Sequence, residues 1–487
     1  MAIKGLKSYY EVNKKSYQAL SEEQCETIIN AAFEILEKTG MDIQHPRAQK
    51  LLLDAGAKME DNKIKIPREL VIDCINSASK EMVMYDRFGN ERFRAGGTRT
   101  YFGLGPTNPF FNDFETGERR PSQRGDVAKA ARVADACPNI DFLMGLAQIS
   151  DHNVKLSDVY ETYEMLTNST KPIISWGIDA DGLKDQVEMG AAVAGGMDKL
   201  VERPFLALFP GCPVTPLIID AKVFEKLEYS AKSGLPLIWM SGAQLGSVAP
   251  VTIAGAAAVG SAELLSGLVL AQLINKGCTI ACGFVVLTVD MGTTHSAYGS
   301  PEHCLGEAML ADLFHYLNLP TMQTGGVTDS KLVDEQAAIE TTMQVLTNIL
   351  SGGHLVHDVG FIDGAMSGAL EQIVLTDEII SYARRMERGV QIDEETLALD
   401  VIDEIGPGGE FLTHEHTFEN FRDEFWFPTL LTRELFVNWA EHKMDMRTRL
   451  RDKTAQLLNG HKVPELSSDI MQKLDDIIAA AEARVTA

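Results

Sequence analysis

The sequence has few cysteines, no excess of positive charge and no long uninterrupted apolar stretch. Seven cysteines scattered over 487 residues do not have the spacing of a disulfide framework. The net charge of −25 argues against nucleic acid or an anionic membrane as the main partner, because both favour a basic surface. The most apolar stretch, 248–274, is interrupted by Ser, Thr, Glu and Gln. Since a transmembrane helix needs about 20 mostly apolar residues, this stretch predicts a buried core helix.

Several catalytic signatures are also missing. There is no G-x-S-x-G elbow and no Walker sequence. Cys278 and Cys282, and Cys304 beside His303, lack the paired spacing of zinc ligands, so we expect core thiols and no bound metal. The first 15 residues contain no apolar run of the secretory type, which predicts a cytoplasmic protein.

What the sequence does contain is a regular alternation of short apolar runs and amphipathic stretches from Thr98 onward. The predicted strands are Thr98–Leu104, Asp141–Ile149, Pro172–Ile178, Phe205–Phe209, Leu237–Ser241, Thr279–Val289, Thr321–Gly325 and His354–Val359. Helices are predicted after them near 125–136, 155–167, 182–195, 220–232, 250–275, 302–317, 334–350 and 368–386. Continuously apolar strands between helices are typical of a parallel sheet covered on both faces.

Eight such units predict an α/β protein with a (β/α)₈ TIM barrel, whose usual size is about 250 residues. An open doubly wound sheet is the alternative, but it more often carries a Gly-rich phosphate fingerprint after its first strand. The segment from Tyr101, YFGLGP, is not such a fingerprint. We therefore divide the chain into an N-terminal helical extension (1–97), the barrel (98–390) and an aromatic and helical tail packed on the barrel (391–487).

The C-terminal ends of the strands carry the chemistry in barrels of this type. There the sequence offers many aromatic rings and few arranged catalytic groups: Tyr101, Phe102, Asn108, Phe110, Phe111, Trp176, Asp179, Cys212, Trp239, Met240, Ser241, Asp290, His295, Gln323, Asp329, Lys331, His357, Asp358 and Phe361. His354 and His357 should point to opposite sides of one strand, so one of them is expected in the site. The absence of hydrolytic, phosphate-binding and metal motifs suggests that another molecule supplies the reactive group.

Three segments carry a resemblance to a known family. They are FETGERRPS from Phe114 with Asp126-Val127, GSVAPVTIAG from Gly246, and GHLVHDVGF from Gly353. Together they make the chain resemble the corrinoid-dependent trimethylamine methyltransferases over nearly its whole length. The resemblance implies a (β/α)₈ barrel that passes a methyl group from an amine to the cobalt of a corrinoid (cobalamin) carried by a separate protein. Because only ordinary residues occur in the seventh and eighth strands, the chain resembles the branch without pyrrolysine, whose members demethylate quaternary amines such as glycine betaine, proline betaine or carnitine.

The chemistry of such a reaction agrees with the missing motifs. A quaternary ammonium leaves as a neutral tertiary amine, so neither a metal nor a general acid is required. The protein must only hold the cation with one methyl aimed at the cobalt, and aromatic faces suit this task.

Roles follow as hypotheses. The cage candidates are Tyr101, Phe102, Trp176, Trp239 and Phe361, and Asp179, Asp290 or Asp358 would balance the ammonium. His354, His357 or Lys331 would bind a substrate carboxylate or face the corrinoid, with His357 and Asp358 as the catalytic candidates. The corrinoid would approach the small residues Gly246, Ser247, Gly353 and Gly360. We expect a cognate corrinoid protein and a small quaternary amine as partners, and a homo-oligomer.

Two other classes remain as alternatives. A Schiff-base lyase in the same barrel would use Lys331 as its nucleophile. A non-catalytic osmolyte-binding protein would also use an aromatic cage, but it would normally carry a signal or a membrane anchor.

Overall fold

The computed structural model describes residues 17–486. The N-terminal region contains α1 (Glu22–Glu34), a π-helical turn (Ile35–Thr39), β1 (Asp42–Ile43), α2 (Pro46–Asp54), β2 (Lys58–Glu60), β3 (Lys63–Lys65), α3 (Arg68–Ser77), β4 (Met82–Tyr85) and β5 (Glu91–Ala95). Ser21 caps α1 in a reciprocal capping box with Gln24. The antiparallel hairpins β2–β3 and β4–β5 are not predicted, so the region is not purely helical.

The middle region alternates strands and helices. Its elements are β6 (Tyr101–Leu104), β7 (Phe110–Asn112), β8 (Arg119–Pro121), α4 (Arg124–Ala136), α5 (Ser157–Asn168), β9 (Ile173–Trp176), α6 (Ala180–Ala194), α7 (Met197–Glu202), β10 (Leu206–Phe209), β11 (Ile218–Ile219), α8 (Ala221–Ser233), β12 (Leu237–Gln244), α9 (Ile253–Ile274), β13 (Ile280–Val289), β14 (Ser296–Ala297), α10 (Pro301–Leu317), β15 (Met322–Thr324), α11 (Glu335–Ser351), β16 (Leu355–Val359), β17 (Phe361–Ile362), β18 (Ser367–Gly368) and α12 (Leu370–Glu387). Each of the eight predicted helices coincides with an observed one, within a few residues at its ends.

The long strands of this region pair in parallel. One sheet has the order β9, β10, β12, β13, and a second has the order β15, β16, β6. Single parallel bridges join Gly103 to Phe142, Leu143 to Ile173, and Cys282 to Thr321. The strand predicted at 141–149 is therefore present only as isolated bridges, not as a continuous ladder. The structure is a mixed α/β fold built on parallel strands.

Side chains alternate between two layers along these strands. One face contributes Ile174, Ala207, Ile238, Met240, Ala281, Met322 and Leu355 to an inner cluster, which also includes Met82, Met84 and Phe93 of the β4–β5 hairpin. The opposite face packs against the helices. Among residues 17–486, α9 is the one helix long and apolar enough to cross a membrane, but 78% of its most apolar window is buried within the protein. The predicted core helix is confirmed.

The C-terminal region consists of α13 (Glu394–Leu397), α14 (Leu399–Ile405), α15 (Glu415–Glu424), α16 (Phe436–His442), α17 (Met446–Gly460) and α18 (Ser468–Thr486). α17 contacts α4 and α12, and α18 contacts α5 and α6, so these two helices pack on the outer helical layer. In contrast, none of the residues of α13–α16 is buried.

Candidate functional site

His357 lies near the C-terminal end of β16, two residues beyond Leu355 of the inner cluster and on the same side of the strand. Its Nε2 is 3.4 Å from the Thr324 hydroxyl on the neighbouring strand, and its Nδ1 is 2.5 Å from Asp358 Oδ1. Both side chains are at most 8% exposed. A carboxylate on Nδ1 favours the tautomer that carries its proton there and fixes the plane of the ring.

The backbone of this pair is unusual. Asp358 has a φ of 84°, and the register of β16 against β6 shifts between Val356 and Val359. A left-handed conformation at an aspartate and a strand irregularity both occur often beside functional sites. Together they turn the Asp358 carboxylate back towards the preceding ring.

A buried polar pair on α10 supports the same strand end. Glu307 accepts the Thr324 N–H with Oε2 at 3.0 Å, and its Oε1 is 3.8 Å from His303 Nδ1. Burial raises the pKa of Glu307 well above its usual range and lowers the pKa of His303 to about 4, so burial favours the neutral form of both side chains. His303 also meets the ring of Tyr298 edge-on at 5.7 Å. This arrangement holds Thr324, and through it His357.

An aromatic cleft of about 510 Å³ opens at the C-terminal ends of β9 and β10, lined among others by Trp176, Phe209, Gly177, Ile178 and Lys226. The Trp176 indole N–H donates to Glu161 Oε2 at 2.7 Å. Glu161 is fully buried and also accepts the Ser157 hydroxyl, and burial raises the pKa of its carboxyl well above the usual range. The buried carboxyl thus anchors the indole edge while leaving the rest of the ring partly open to the cleft.

A second, polar cleft of about 840 Å³ lies between the loops after β13, β15 and β17. Tyr298, Asp290, Asp329, Lys331 and Asp363 are among its lining residues. Asp329 accepts the backbone N–H groups of residues 298 and 299, and Lys331 donates to the Asp329 carbonyl at 2.7 Å. Lys331 is largely exposed, with its amine 3.8 Å from Asp363. Such a solvated ion pair does not favour its use as a Schiff-base nucleophile.

Several predicted site residues lie elsewhere. Trp239 is fully buried between β12 and α9, where its indole N–H donates to the Glu263 carbonyl, so it cannot form part of a cage. Phe102 also points away from the inner cluster and packs in the outer layer, because successive side chains of a strand face opposite sides of the sheet. Tyr101 begins β6 at the opposite end of the strands and stacks on Phe93 of the β4–β5 hairpin at 5.0 Å.

Gly353 and His354 lie just before the N-terminal start of β16, at the other end of the strand from His357. His354 accepts the Thr321 N–H and lies 2.9 Å from the Gly97 carbonyl. Gly353 is a glycine because an added Cβ would overlap the Gln323 amide. Both residues lie at the opposite end of β16 from His357 and line neither of the two clefts, which does not favour the roles predicted for them.

Of the remaining candidates, two are structural. Phe361 is buried with its ring against Gly105, so its face is covered. Gly360 has a φ of 97° and is closed in by Leu146. Asp179 follows the cleft residue Ile178 in the chain and caps α6 by accepting the Gly182 N–H. Gly246 and Ser247 are exposed in the loop that follows β12, and their role towards the corrinoid stays a prediction.

Sequence reasoning missed Phe209, Lys226, Tyr298 and Glu161. Phe209 ends a predicted strand two residues after the inward-facing Ala207, so parity was a usable signal. The other three lie on helices or loops, and a prediction that starts from the ends of strands does not include such positions. No three His, Cys, Asp or Glu side chains in the described range lie together as metal ligands, and the expected lack of a metal stays a prediction.

Comparisons with known proteins agree over almost the whole length. The sequence profile of the trimethylamine methyltransferase family matches residues 3–486. The chain belongs to this family. The methyltransferase is 31% identical to the glycine betaine methyltransferase of Desulfitobacterium hafniense strain Y51, over 95% of this chain and 97% of that one. It is 30% identical to a trimethylamine methyltransferase of Desulfitobacterium hafniense strain DSM 10664 / DCB-2, over 95% and 93% of the two chains. The crystal structure of the monomethylamine methyltransferase of Methanosarcina barkeri aligns over 99% of both chains at 14% identity, with a TM-score of 0.47.

Proposed function

We propose that this methyltransferase takes a methyl group from a quaternary amine, glycine betaine or a related betaine, and passes it to the Co(I) of a corrinoid carried by a separate protein. The main observation in favour of a quaternary amine as substrate is the cleft lined by Trp176 and Phe209 at the C-terminal ends of β9 and β10. An aromatic face attracts an N-methylated cation by about 0.5–2 kcal/mol per ring. A relative at 31% identity bears the name of glycine betaine methyltransferase. Proline betaine and carnitine are the alternative substrates.

The demands of the reaction fit the groups at the mouth. The corrinoid supplies the nucleophile, and the leaving group is a neutral tertiary amine that needs no proton. A strong acid is therefore unnecessary, and burial favours the neutral forms of His303 and Glu307, which support the strand end at Thr324. The protein's contribution is to fix the substrate so that one methyl points out of the cleft.

His357 and Asp358 are proposed as the catalytic pair. Asp358 holds the imidazole plane through Nδ1, which leaves Nε2 beside Thr324 at the mouth. From there the ring would contact the substrate or the corrinoid edge. No other imidazole in the described part of the chain combines an inward direction with a position at the C-terminal end of an inner strand.

The strand pairings favour a closed (β/α)₈ barrel. Read in order, the two parallel sheets and the single bridges lead from β6 through residues 142 and 143, β9, β10, β12, β13, β15 and β16 back to β6. Such a ring would bring His357 and the aromatic cleft to one mouth.

The corrinoid protein is proposed to dock on that mouth. Six loops after the strands each present an apolar side chain that is 46–79% exposed: Val154, Val214, Val251, Met291, Leu332 and Met366. The exposed Gly246 and Ser247 lie in the same set of loops, where a small side chain permits close approach of a cofactor edge. A rim of apolar side chains around a polar opening suits a partner that must bring its cofactor into the opening.

We also propose a homo-oligomer in the cytoplasm. Between Val390 and Val437, fourteen large apolar side chains are at least 40% exposed. They expose on the order of 1,500 Å², more than the ~800 Å² per partner of a standard interface. A second copy of the chain is the occupant we propose, and light scattering after size-exclusion chromatography measures it. A monomeric protein would contradict this part of the proposal.

A substrate panel tests the function directly. The purified protein is mixed with Co(I)-cobalamin and glycine betaine, proline betaine, carnitine, dimethylglycine or trimethylamine, and methyl-Co(III) is followed spectroscopically. We expect methylation from at least one quaternary amine and none from the tertiary amines. A Schiff base trapped by borohydride on Lys331, or no methyl transfer from any quaternary amine, would overturn the proposal.

A further inference from the structure

Lys226 is a buried cation that lines the aromatic cleft. It lies on α8, is 9% exposed, and its ammonium donates one hydrogen bond, to the Gly177 carbonyl at 2.9 Å. An ammonium has three N–H groups, so this bond uses one of three. Within the described residues, no carboxylate oxygen lies within 4 Å of this nitrogen.

The surroundings make this position costly for an isolated charge. Burial lowers the pKa of Lys226, while the more distant carboxyls of Asp220, Asp158 and Asp179 favour the charged form. Buried charges in proteins are normally paired or bonded to several acceptors. A lysine held beside open space with donors to spare is therefore suited to an anionic group that enters the cleft.

The same cleft also carries aromatic rings, which attract a cation where the lysine attracts an anion. Trp176 and Phe209 offer apolar ring surface, and about 510 Å³ is enough for a small zwitterion. A betaine carries a quaternary ammonium and a carboxylate within one small molecule. Rings and a lysine in a single cleft match both ends of such a molecule.

We infer that Lys226 binds the carboxylate of a zwitterionic substrate whose ammonium lies against Trp176 and Phe209. This inference rests on the proposed function and adds the residue that distinguishes betaines from simple tetraalkylammonium ions. As the carboxylate partner it takes the place of His354, His357 and Lys331, which the sequence suggested for that role or for facing the corrinoid.

Binding calorimetry on the full chain tests the inference without the corrinoid. Glycine betaine and tetramethylammonium, which lacks a carboxylate, are titrated into the wild type, Lys226→Met and Lys222→Met. Lys222 lies one turn earlier on α8 and is exposed, so its variant is the matched control. Circular dichroism and thermal unfolding check that the variants fold, and replacing a buried lysine by methionine keeps an unbranched chain of similar length.

We expect Lys226→Met to weaken glycine betaine binding at least about tenfold, as for the loss of a charge-assisted hydrogen bond, and to change tetramethylammonium binding little. Lys222→Met should match the wild type with both ligands. Unchanged betaine affinity in Lys226→Met, or an equal loss for both ligands, overturns the inference and leaves the proposed function standing. Absence of glycine betaine binding to the wild type overturns the inference, and absence of methyl transfer from every quaternary amine of the substrate panel overturns the proposed function as well.

Discussion

Replacing Trp176 by Leu removes the largest ring of the cleft at the end of β9 and leaves an apolar side chain of moderate size in its place. The change takes away two things at once, the face that would attract a cation and the N–H that bonds Glu161. We expect the catalytic efficiency with glycine betaine to fall about tenfold. Methylation of Co(I)-cobalamin, followed spectroscopically at several substrate concentrations, gives kcat/KM for each variant.

The magnitude follows from the ring alone. A cation over a tryptophan face gains about 0.5–2 kcal/mol, and about 1.4 kcal/mol corresponds to a tenfold change. Glu161 keeps its hydrogen bond from Ser157, and burial raises its pKa and favours its neutral form, so losing the indole N–H costs less than it would beside a buried carboxylate. Most of the loss should therefore appear in substrate use and little in folding.

Two further variants separate the causes. Trp176→Phe keeps a ring but has no N–H, and it should retain activity within about threefold of the wild type if the ring face matters. Trp239→Leu changes a tryptophan that is fully buried between β12 and α9. It should lower the free energy of unfolding by about 2–4 kcal/mol through the cavity it leaves, with little effect on the KM of the folded protein. Unchanged kcat/KM in Trp176→Leu, or an equal loss in the phenylalanine variant, would refute the reasoning.

Four other outcomes are expected. Dimethylglycine and trimethylamine should not be demethylated, because a neutral tertiary amine has a poor leaving group and its protonated form needs an acceptor that a ring does not provide; rapid turnover of either in the cobalamin assay would contradict the cage. Activity should survive chelation of zinc, since the leaving group needs no Lewis acid; loss on chelation with recovery on adding zinc, together with stoichiometric zinc by elemental analysis, would show otherwise. Burial raises the pKa of Asp158 to about 7, so the folded state holds this proton more tightly than the unfolded chain does. The resulting stabilisation is present below about pH 4 and is lost as the pH rises to about 7. Asp158→Asn should therefore flatten the pH dependence of the urea midpoint in that window, and an unaltered profile would count against the raised pKa. Gly145→Ala should lower the free energy of unfolding by about 1–3 kcal/mol and impair activity, because its methyl would overlap the Glu161 carboxyl that anchors Trp176. The added methyl of Gly125→Ala would enter open space, so this variant is the neutral control in both measurements.

The alternation of strands and helices could be read from the sequence because each element carries its own period. Even the ends of α9 and α10 agree with their predicted ranges to within a few residues. The segment around Phe142 could not be read as well. Its apolar run is that of a buried strand, but it contacts its neighbours only through isolated bridges. Hydrophobicity reports burial and does not report which hydrogen bonds a backbone makes.

The candidate site was only partly readable, and strand parity explains most of the errors. Trp239 and Met240 are adjacent and equally apolar, yet one faces α9 and the other the inner cluster. What decides the direction is a partner far along the chain: Gly267 leaves the space that the Trp239 indole occupies, and Gly105 does the same for Phe361. A single sequence contains these pairs but does not show that they are pairs. Lys226 was missed because a charged residue on a helix predicts a solvated surface, and its burial is a property of the tertiary fold.

The β4–β5 hairpin has a consequence for how the chain is made. Met82, Met84 and Phe93 belong to the same buried cluster as Met322 and Leu355, although the hairpin precedes β6 and every strand of the two parallel sheets. During synthesis these side chains leave the ribosome long before β15 and β16 exist, so their apolar surface must wait uncovered while most of the chain is added. Such a delay invites premature association, and the nascent chain should depend on chaperones until its last inner strand is complete. A fragment that begins after the hairpin would lack Met82, Met84 and Phe93, so its strands could still pair but the buried cluster between them would contain a cavity.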